Sequence, residues 1–284
     1  MNAITQAPPN TGLQLLHLSP CIGTEVHGIN LADVSQDTIN WLLDLLVERK
    51  VLFFRDQDIT AEQHVAFAGR FGDLEVHPFT KNMDTLPEVI QLYNNREHPP
   101  QINVWHSDVT WRQEPSLGSI LRARKVPEVG GDTLFANMEA AYDNLDEATR
   151  EQIDNLWAVH DNETFLRRMQ QAGASEEEIE AKRAEFPPQR HPVVRTHPVS
   201  GKKSIYVNTV FTRYIEGMDE VSSNALLQKL YHQAWLPDVQ CRFRWAANSL
   251  AFWDNRAAQH YAAADYWPEE RLMERVTIKG DRPA

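Results

Sequence analysis

The sequence predicts a single domain spanning residues 1–284, mainly β, with a closed or sandwiched β core and helices packed outside it. Three observations point there. A chain of 284 residues is long enough to bury one large core. Strand-like runs dominate its second half, separated by large excursions. No internal repeat, low-complexity tract or linker-sized Pro-rich stretch divides it.

The elements follow in order. From Ser35, "SQDTINWLLDLLVERK" places Ile39, Leu42, Leu43 and Leu46 at helical period behind an N-cap and predicts a helix. "VLFFRD" at 51–56 is a short apolar run suited to a buried strand. Thr60 and Gln63 form a capping box that opens a second helix through "AEQHVAFAGRF", before Gly72. "SLGSILRARKV" and "GGDTLFANM" read as strands, the second behind a Gly-Gly turn, and "DEATREQIDNLWAV" reads as a helix. Residues 162–186, "NETFLRRMQQAGASEEEIEAKRAEF", are highly charged and lack a continuous apolar stripe. They predict an exposed helical insertion or a mobile lid, closed by Pro187 and Pro188. Beyond them "HPVVRTHP", "KSIYVNTVF", "CRFRWA", "SLAFWDN" and "RVTIKG" read as strands, with one helix around "NALLQKLYHQAW".

Charge and cysteine content exclude some roles. With 28 basic and 40 acidic residues the net charge is -12, which repels phosphate backbones and anionic membrane surfaces. Nucleic-acid and membrane partners are therefore not expected. Cys21 and Cys241 are the only cysteines, which argues against a disulfide framework and for a reducing compartment. The opening "MNAITQAPPNTG" has no charged leader before an apolar stretch, and no apolar run approaches the ~18 residues of a membrane span. A cytoplasmic protein is the expectation.

The stretch "NVWHSDVTW", 103–111, carries the chemistry. On a strand, His106 and Asp108 would point to one side, with Trp105 and Ser107 on the other. An imidazole and a carboxylate suit Fe(II), and a third ligand would complete a two-histidine, one-carboxylate face with open positions; a catalytic zinc could use similar donors. His-x-Asp also recurs by chance, yet His106 is the only one of eleven histidines followed two places on by an acid. His260, where the apolar "AFWDNRAAQ" runs into a polar turn, is the candidate third ligand. Arg271 and Arg275, four apart, share one side of a helix or one face of a strand and could grip a small carboxylate or sulfur oxyanion. The alternative for them is surface pairing with Glu270 and Glu274.

"WHSD", "GGDTLF", "HPVVRTHPVSGKKSIYVN", "WDNRAAQHYAAADY" and "RLMERVTI" together resemble the taurine dioxygenase family, Fe(II)- and 2-oxoglutarate-dependent oxygenases that include aryloxyalkanoate dioxygenases and alkylsulfatases. The likeness spans roughly residues 12–282. It implies a double-stranded β-helix, a jelly-roll core with helices outside. It implies iron held by His106, Asp108 and His260, and 2-oxoglutarate chelating that iron while Arg271 and the Thr133 hydroxyl hold its distal carboxylate. Read alone, Thr133 is only a β-branched strand residue. Substrate arrival would free a position for O2, and 2-oxoglutarate would leave as succinate and carbon dioxide while the substrate gains a hydroxyl. Relatives that halogenate lack the carboxylate, so Asp108 argues for hydroxylation.

The resemblance also implies that an anionic head group is gripped by His77, Arg275 and the backbone at Val109, beside the pocket aromatic Phe211. Without it, His77 could be a solvated loop histidine and Phe211 plain core. Where taurine-oxidising relatives hold the substrate amine with a tyrosine and an asparagine, this chain has Thr80 and Ile102. The expected substrate is thus a small anion, an organosulfonate or alkyl sulfate ester with a more apolar body than taurine. Its product would release sulfite or sulfate plus an aldehyde. An aryloxyalkanoate or other carboxylate is the alternative within the family. A zinc hydrolase on the same three donors and a non-catalytic metal-binding barrel are the alternatives outside it. Relatives are commonly dimers or tetramers, so a homo-oligomer is expected.

Overall fold

The computed structural model describes residues 6–8 and 11–284; most of the N-terminal stretch read above for a leader lies outside them. The first half forms β1 (Gln14–His17), β2 (Thr24–His27), α1 (Gln36–Arg49), β3 (Val51–Phe54), α2 (Ala61–Ala68), β4 (Val89–Asn94), β5 (Gly118–Lys125) and β6 (Thr133–Asn137). Then come α3 (Met138–Asp143), α4 (Glu147–Ile153), β7 (Trp157–His160), α5 (Glu163–Gln171), α6 (Glu176–Glu185), β8 (Gln189–Pro192), β9 (Val194–Thr196) and β10 (Lys203–Ile205). The chain ends with β11 (Thr212–Ile215), α7 (Glu220–Gln233), β12 (Gln240–Phe243), β13 (Leu250–Asp254), β14 (Ala258–Ala262) and β15 (Arg271–Ile278).

Two sheets make the core. The larger has seven strands in the order β1-β2-β3-β13-β5-β15-β4, and a three-stranded sheet runs β12-β6-β14. Side-chain alternation explains how they stack. Val51, Phe53, Leu121, Ala251, Trp253 and Met273 of the large sheet pack with Phe135, Cys241 and Phe243 of the small one in a single buried cluster. The alternate residues Leu52, Phe54, Ile120, Leu250, Phe252 and Val276 turn outward and are covered by Ile39, Leu42, Leu46 and Phe67 of α1 and α2. Both faces of the large sheet are therefore buried, which is why "VLFF" is continuously apolar. This is the jelly-roll sandwich with external helices. Cys21 and Cys241 are both free thiols, and no helix of the described residues is long and apolar enough to cross a membrane.

Local chemistry sets the helix ends. Ser35 caps α1 by accepting from the Thr38 amide, and the Thr60–Gln63 capping box is formed at α2. Three expectations need correction. The second helix stops at Ala68, short of Phe71. The "DEATREQIDNLWAV" helix stops at Ile153, and Trp157–His160 belong to β7, because Ala158 and Val159 pair with His191 and Arg190 of β8. Tertiary strand pairing overrides helix propensity there. The 162–186 segment is two helices, but α5 is not merely exposed: Leu166 is fully buried and Phe165 packs on the cavity aromatics His77, Phe79 and Phe211.

Three of the buried histidines away from the cavity, His64, His160 and His191, are lowered by burial. His64 falls to about 3 and His191 to about 4. The unfolded chain takes up protons at these rings near pH 6.5, whereas the folded chain does not until far lower. Their contribution to stability is therefore complete above pH 6.5 and declines as pH falls toward 4, by up to about 1.4 kcal/mol per pH unit for each ring. Urea unfolding of chelator-treated protein is expected to show a clearly lower midpoint at pH 5.5 than at pH 7.5; equal midpoints would contradict this.

Candidate metal centre

His260 sits in the middle of β14, paired with Phe135 of β6. His106 adds a single antiparallel bridge to that strand: its amide donates to the His260 carbonyl at 3.1 Å, and the His260 amide donates back at 2.8 Å. Residues 103–111 are therefore not the strand that the alternation reading assumed. His106 is one bridged residue, and the chain turns at once, with Val109 at φ 47. Left-handed backbone at a buried β-branched residue costs on the order of 1–3 kcal/mol and persists only where its surroundings hold it. Asn255 provides that hold. Its Oδ1 accepts from the Asp108 amide at 2.6 Å and its Nδ2 donates to the Asp108 carbonyl at 2.9 Å.

Asn255 is itself anchored by the β13–β14 turn. Asp254, fully buried, accepts from Arg256 Nε and Nη2, both at 2.8 Å, and lies 2.9 Å from His197 Nε2. One turn thus positions both ligand segments, β14 through the chain and the Asp108 loop through Asn255.

The result is a compact donor set. One ligand atom each from His106, Asp108 and His260 lies within 4.8 Å of the others, and all three residues are buried. His106 Nδ1 donates to the Val104 carbonyl at 2.9 Å, which leaves Nε2 as the bare donor, 3.9 Å from Asp108 Oδ1. Burial pushes His260 down to about 3 and lowers His106, so both rings are neutral near pH 7, the form a metal binds. Burial opposes ionisation of Asp108, but Arg275, donating from Nη1 to Oδ1 at 2.8 Å, holds the carboxyl below its usual range. Ser119 donates to the other oxygen at 3.0 Å. Two neutral imidazoles and one ionised carboxylate fit Fe(II) or another divalent ion.

The donors open onto a cavity of about 520 Å³ that is also lined by His77, Thr80, Ile102, Val109, Thr133, Phe211, Arg271 and Arg275, so every residue singled out in the sequence is brought to one place. Arg271 and Arg275 lie on β15 with Met273, on the face turned between the sheets. Neither arginine pairs with its neighbouring glutamate: Glu274 faces the other way toward Arg122 and Arg124, and Glu270 pairs with Lys125.

Arg271 is 5% exposed, and its Nε and Nη2 have no partner. A buried cation without an anion is costly, and two free donors in a planar fork match a carboxylate. Thr133 Oγ1 accepts from Trp245 Nε1 at 3.0 Å, which leaves its own proton free to donate within the cavity that Arg271 also lines. Gly131, at φ 72, lets the loop close in: a Cβ there would come within 3.4 Å of Arg271 Nε.

His77 carries a second orphan. Its Nδ1 accepts from the Phe79 and Thr80 amides at 3.2 and 3.1 Å, so Nε2 bears the proton, buried and unpartnered. Burial and the nearby Arg275 lower it to about 3. It is a fixed neutral donor, not a solvated loop histidine.

Sequence reading missed Asn255 and Ser119, which hold Asp108, Trp245, which holds Thr133, and Phe165 and Arg168 of α5, which line the cavity. Asn255 alone left a signal, as the polar residue after "FWD" in the segment that leads to His260.

Comparison with known proteins agrees with this geometry. The family model described as "Taurine catabolism dioxygenase TauD, TfdA family" matches residues 14–277. The chain is 35% identical to the alpha-ketoglutarate-dependent sulfate ester dioxygenase of Pseudomonas putida, over 99% of this chain and 94% of that protein. It is 34% identical to the alkylsulfatase of Acinetobacter baylyi, over 96% and 87%. A crystal structure of a taurine dioxygenase from Burkholderia xenovorans superposes with a TM-score of 0.81 at 34% identity, covering 96% of this chain and 91% of that one. Sequence, fold and donor geometry converge: this chain belongs to the TauD, TfdA family of dioxygenases.

Proposed function

We propose that this protein is an Fe(II)- and 2-oxoglutarate-dependent dioxygenase that hydroxylates a small organosulfonate or alkyl sulfate ester on the carbon next to the sulfur or ester oxygen. The observation that carries the reading is a pair of unsatisfied anion sites in the cavity of the His106–Asp108–His260 donors: the Arg271 fork with Thr133, and the His77 Nε2 proton with Arg275. The three donors would hold iron, and Arg271 with Thr133 the distal carboxylate of 2-oxoglutarate. When bound, the two together supply an oxidant from O2, with 2-oxoglutarate leaving as succinate and carbon dioxide.

The chain's own residues orient the substrate and exclude water. His77 Nε2–H, the Arg275 guanidinium and the Val109 amide grip the anionic head, which fixes the adjacent carbon toward the donors. Arg275 Nε is buried without a partner, so it can serve an anion while Nη1 stays on Asp108. Phe165 and Phe211 wall the space between. The hydroxylated carbon then expels sulfite or sulfate and becomes an aldehyde carbonyl.

The body of the substrate meets Thr80 and Ile102. The Thr80 amide is engaged by His77, and Ile102 has no polar side-chain atom. The Thr80 hydroxyl is the one acceptor these two side chains offer, so an ammonium placed there would be left short of partners, at about 1–3 kcal/mol, or roughly 10- to 100-fold in selectivity. Hexyl sulfate or hexanesulfonate is expected to exceed taurine by that margin in kcat/KM, measured as substrate-dependent succinate; a preference for taurine would refute the reading of these two positions.

A further inference from the structure

One wall of the cavity belongs to α5, the element read from sequence as a charged insertion. Phe165, Met169 and the C-cap residue Ala172 recur at i, i+4 and i+7, which places them along one side of the helix and its end, and all three line the cavity. Pro99, Pro100 and Ile102 line it as well, from the loop after β4. That loop is tied to α5 by Arg168, whose Nη2 donates to the Gln101 carbonyl at 3.1 Å. Exposure rises along the stripe: His77 at the head-group end is 3% exposed, Phe165 and Met169 are half-buried, and Ala172 is exposed. The space between the walls thus runs from the anion site outward to solvent. At 1.5 Å per residue, Phe165 to Ala172 covers about 10 Å.

We propose that this stripe is a chain-length gauge for the apolar tail of the substrate. This rests on the head-group reading above and adds to it which residues meet the tail. The tail lies along α5 against Pro99, Pro100 and Ile102; Met169 covers its middle, and Ala172 marks where further methylenes emerge into water.

The test is kcat/KM for ethyl, butyl, hexyl, octyl and decyl sulfate in wild type, Met169→Ala and Met169→Leu. Wild type is expected to gain about three- to fourfold per buried methylene and then level off once the tail passes Ala172. Met169→Ala should lower the octyl-to-ethyl ratio of kcat/KM about tenfold, and Met169→Leu should largely restore it. A flat length profile overturns the gauge while leaving the head-group reading intact. An unchanged octyl-to-ethyl ratio in Met169→Ala, or a preference for an octyl sulfate carrying a terminal carboxylate, which Arg168 would bind, also overturns it. Failure to turn over any member of the series refutes the head-group reading itself.

Discussion

Replacing Arg271 with methionine is expected to weaken 2-oxoglutarate binding at least 100-fold and to make the unliganded protein more stable. The two effects have one cause. The guanidinium is buried with Nε and Nη2 unpartnered among protein groups, compensated only in part by the Tyr266 and Trp245 rings at 5.7 and 6.0 Å. A methionine of similar length removes the dehydrated charge and should stabilise the fold by roughly 1–4 kcal/mol, raising Tm by several degrees. It also removes two charge-assisted hydrogen bonds to a carboxylate, so the concentration of 2-oxoglutarate needed for half-maximal rate should rise at least 100-fold. Thermal shift with and without 2-oxoglutarate separates the effects: wild type gains stability with ligand by mass action and the variant does not. A variant that is less stable than wild type without ligand, or still shifted by it, contradicts the assignment.

Arg275→Met is expected to behave in the opposite way toward stability. Arg275 is paired with Asp108, whose buried carboxylate it keeps ionised. Its loss leaves that carboxylate uncompensated, so the metal-free variant should be destabilised by about 3–5 kcal/mol. Because Arg275 also grips the substrate head, kcat/KM for hexyl sulfate should fall about 100- to 1000-fold. The metal-loaded variant should keep its thermal response to 2-oxoglutarate, since Arg271 and Thr133 are untouched. Urea unfolding of the metal-free protein and succinate assays of the loaded one read the two effects. Loss of the 2-oxoglutarate response together with substrate affinity would show that the two arginines do not serve separate anions.

These opposite signs could not be read from the sequence, although both arginines could. Their spacing of four places them together whether the segment is helix or strand, and β15 made it strand. What spacing cannot say is which face turns inward. That follows from β15 lying between β5 and β4 with Met273 in the inter-sheet cluster, a property of pairings far apart in sequence. The donor triad was legible because two ligands stand two residues apart and the third follows a recognisable apolar strand, β13, just across its turn. The geometry inferred for it was wrong in detail: a single bridge and a strained turn at Val109, clamped by Asn255, replace the assumed strand. Residues 162–186 misled for a similar reason. High charge hid a stripe of only three residues along α5 and its C-cap, whose partners come from loops around residues 79 and 100.

The most direct measurement is an anaerobic optical titration of the metal-free protein with Fe(II) and then 2-oxoglutarate. Chelation of the metal by the 2-oxo acid should produce a visible charge-transfer band with one equivalent of each. The band should be absent in His260→Ala and should need far more 2-oxoglutarate in Arg271→Met. If no band forms, or if it survives the loss of His260, or if hexyl sulfate is cleaved under zinc alone without oxygen or 2-oxoglutarate, then these three side chains do not form the iron site of an oxygenase.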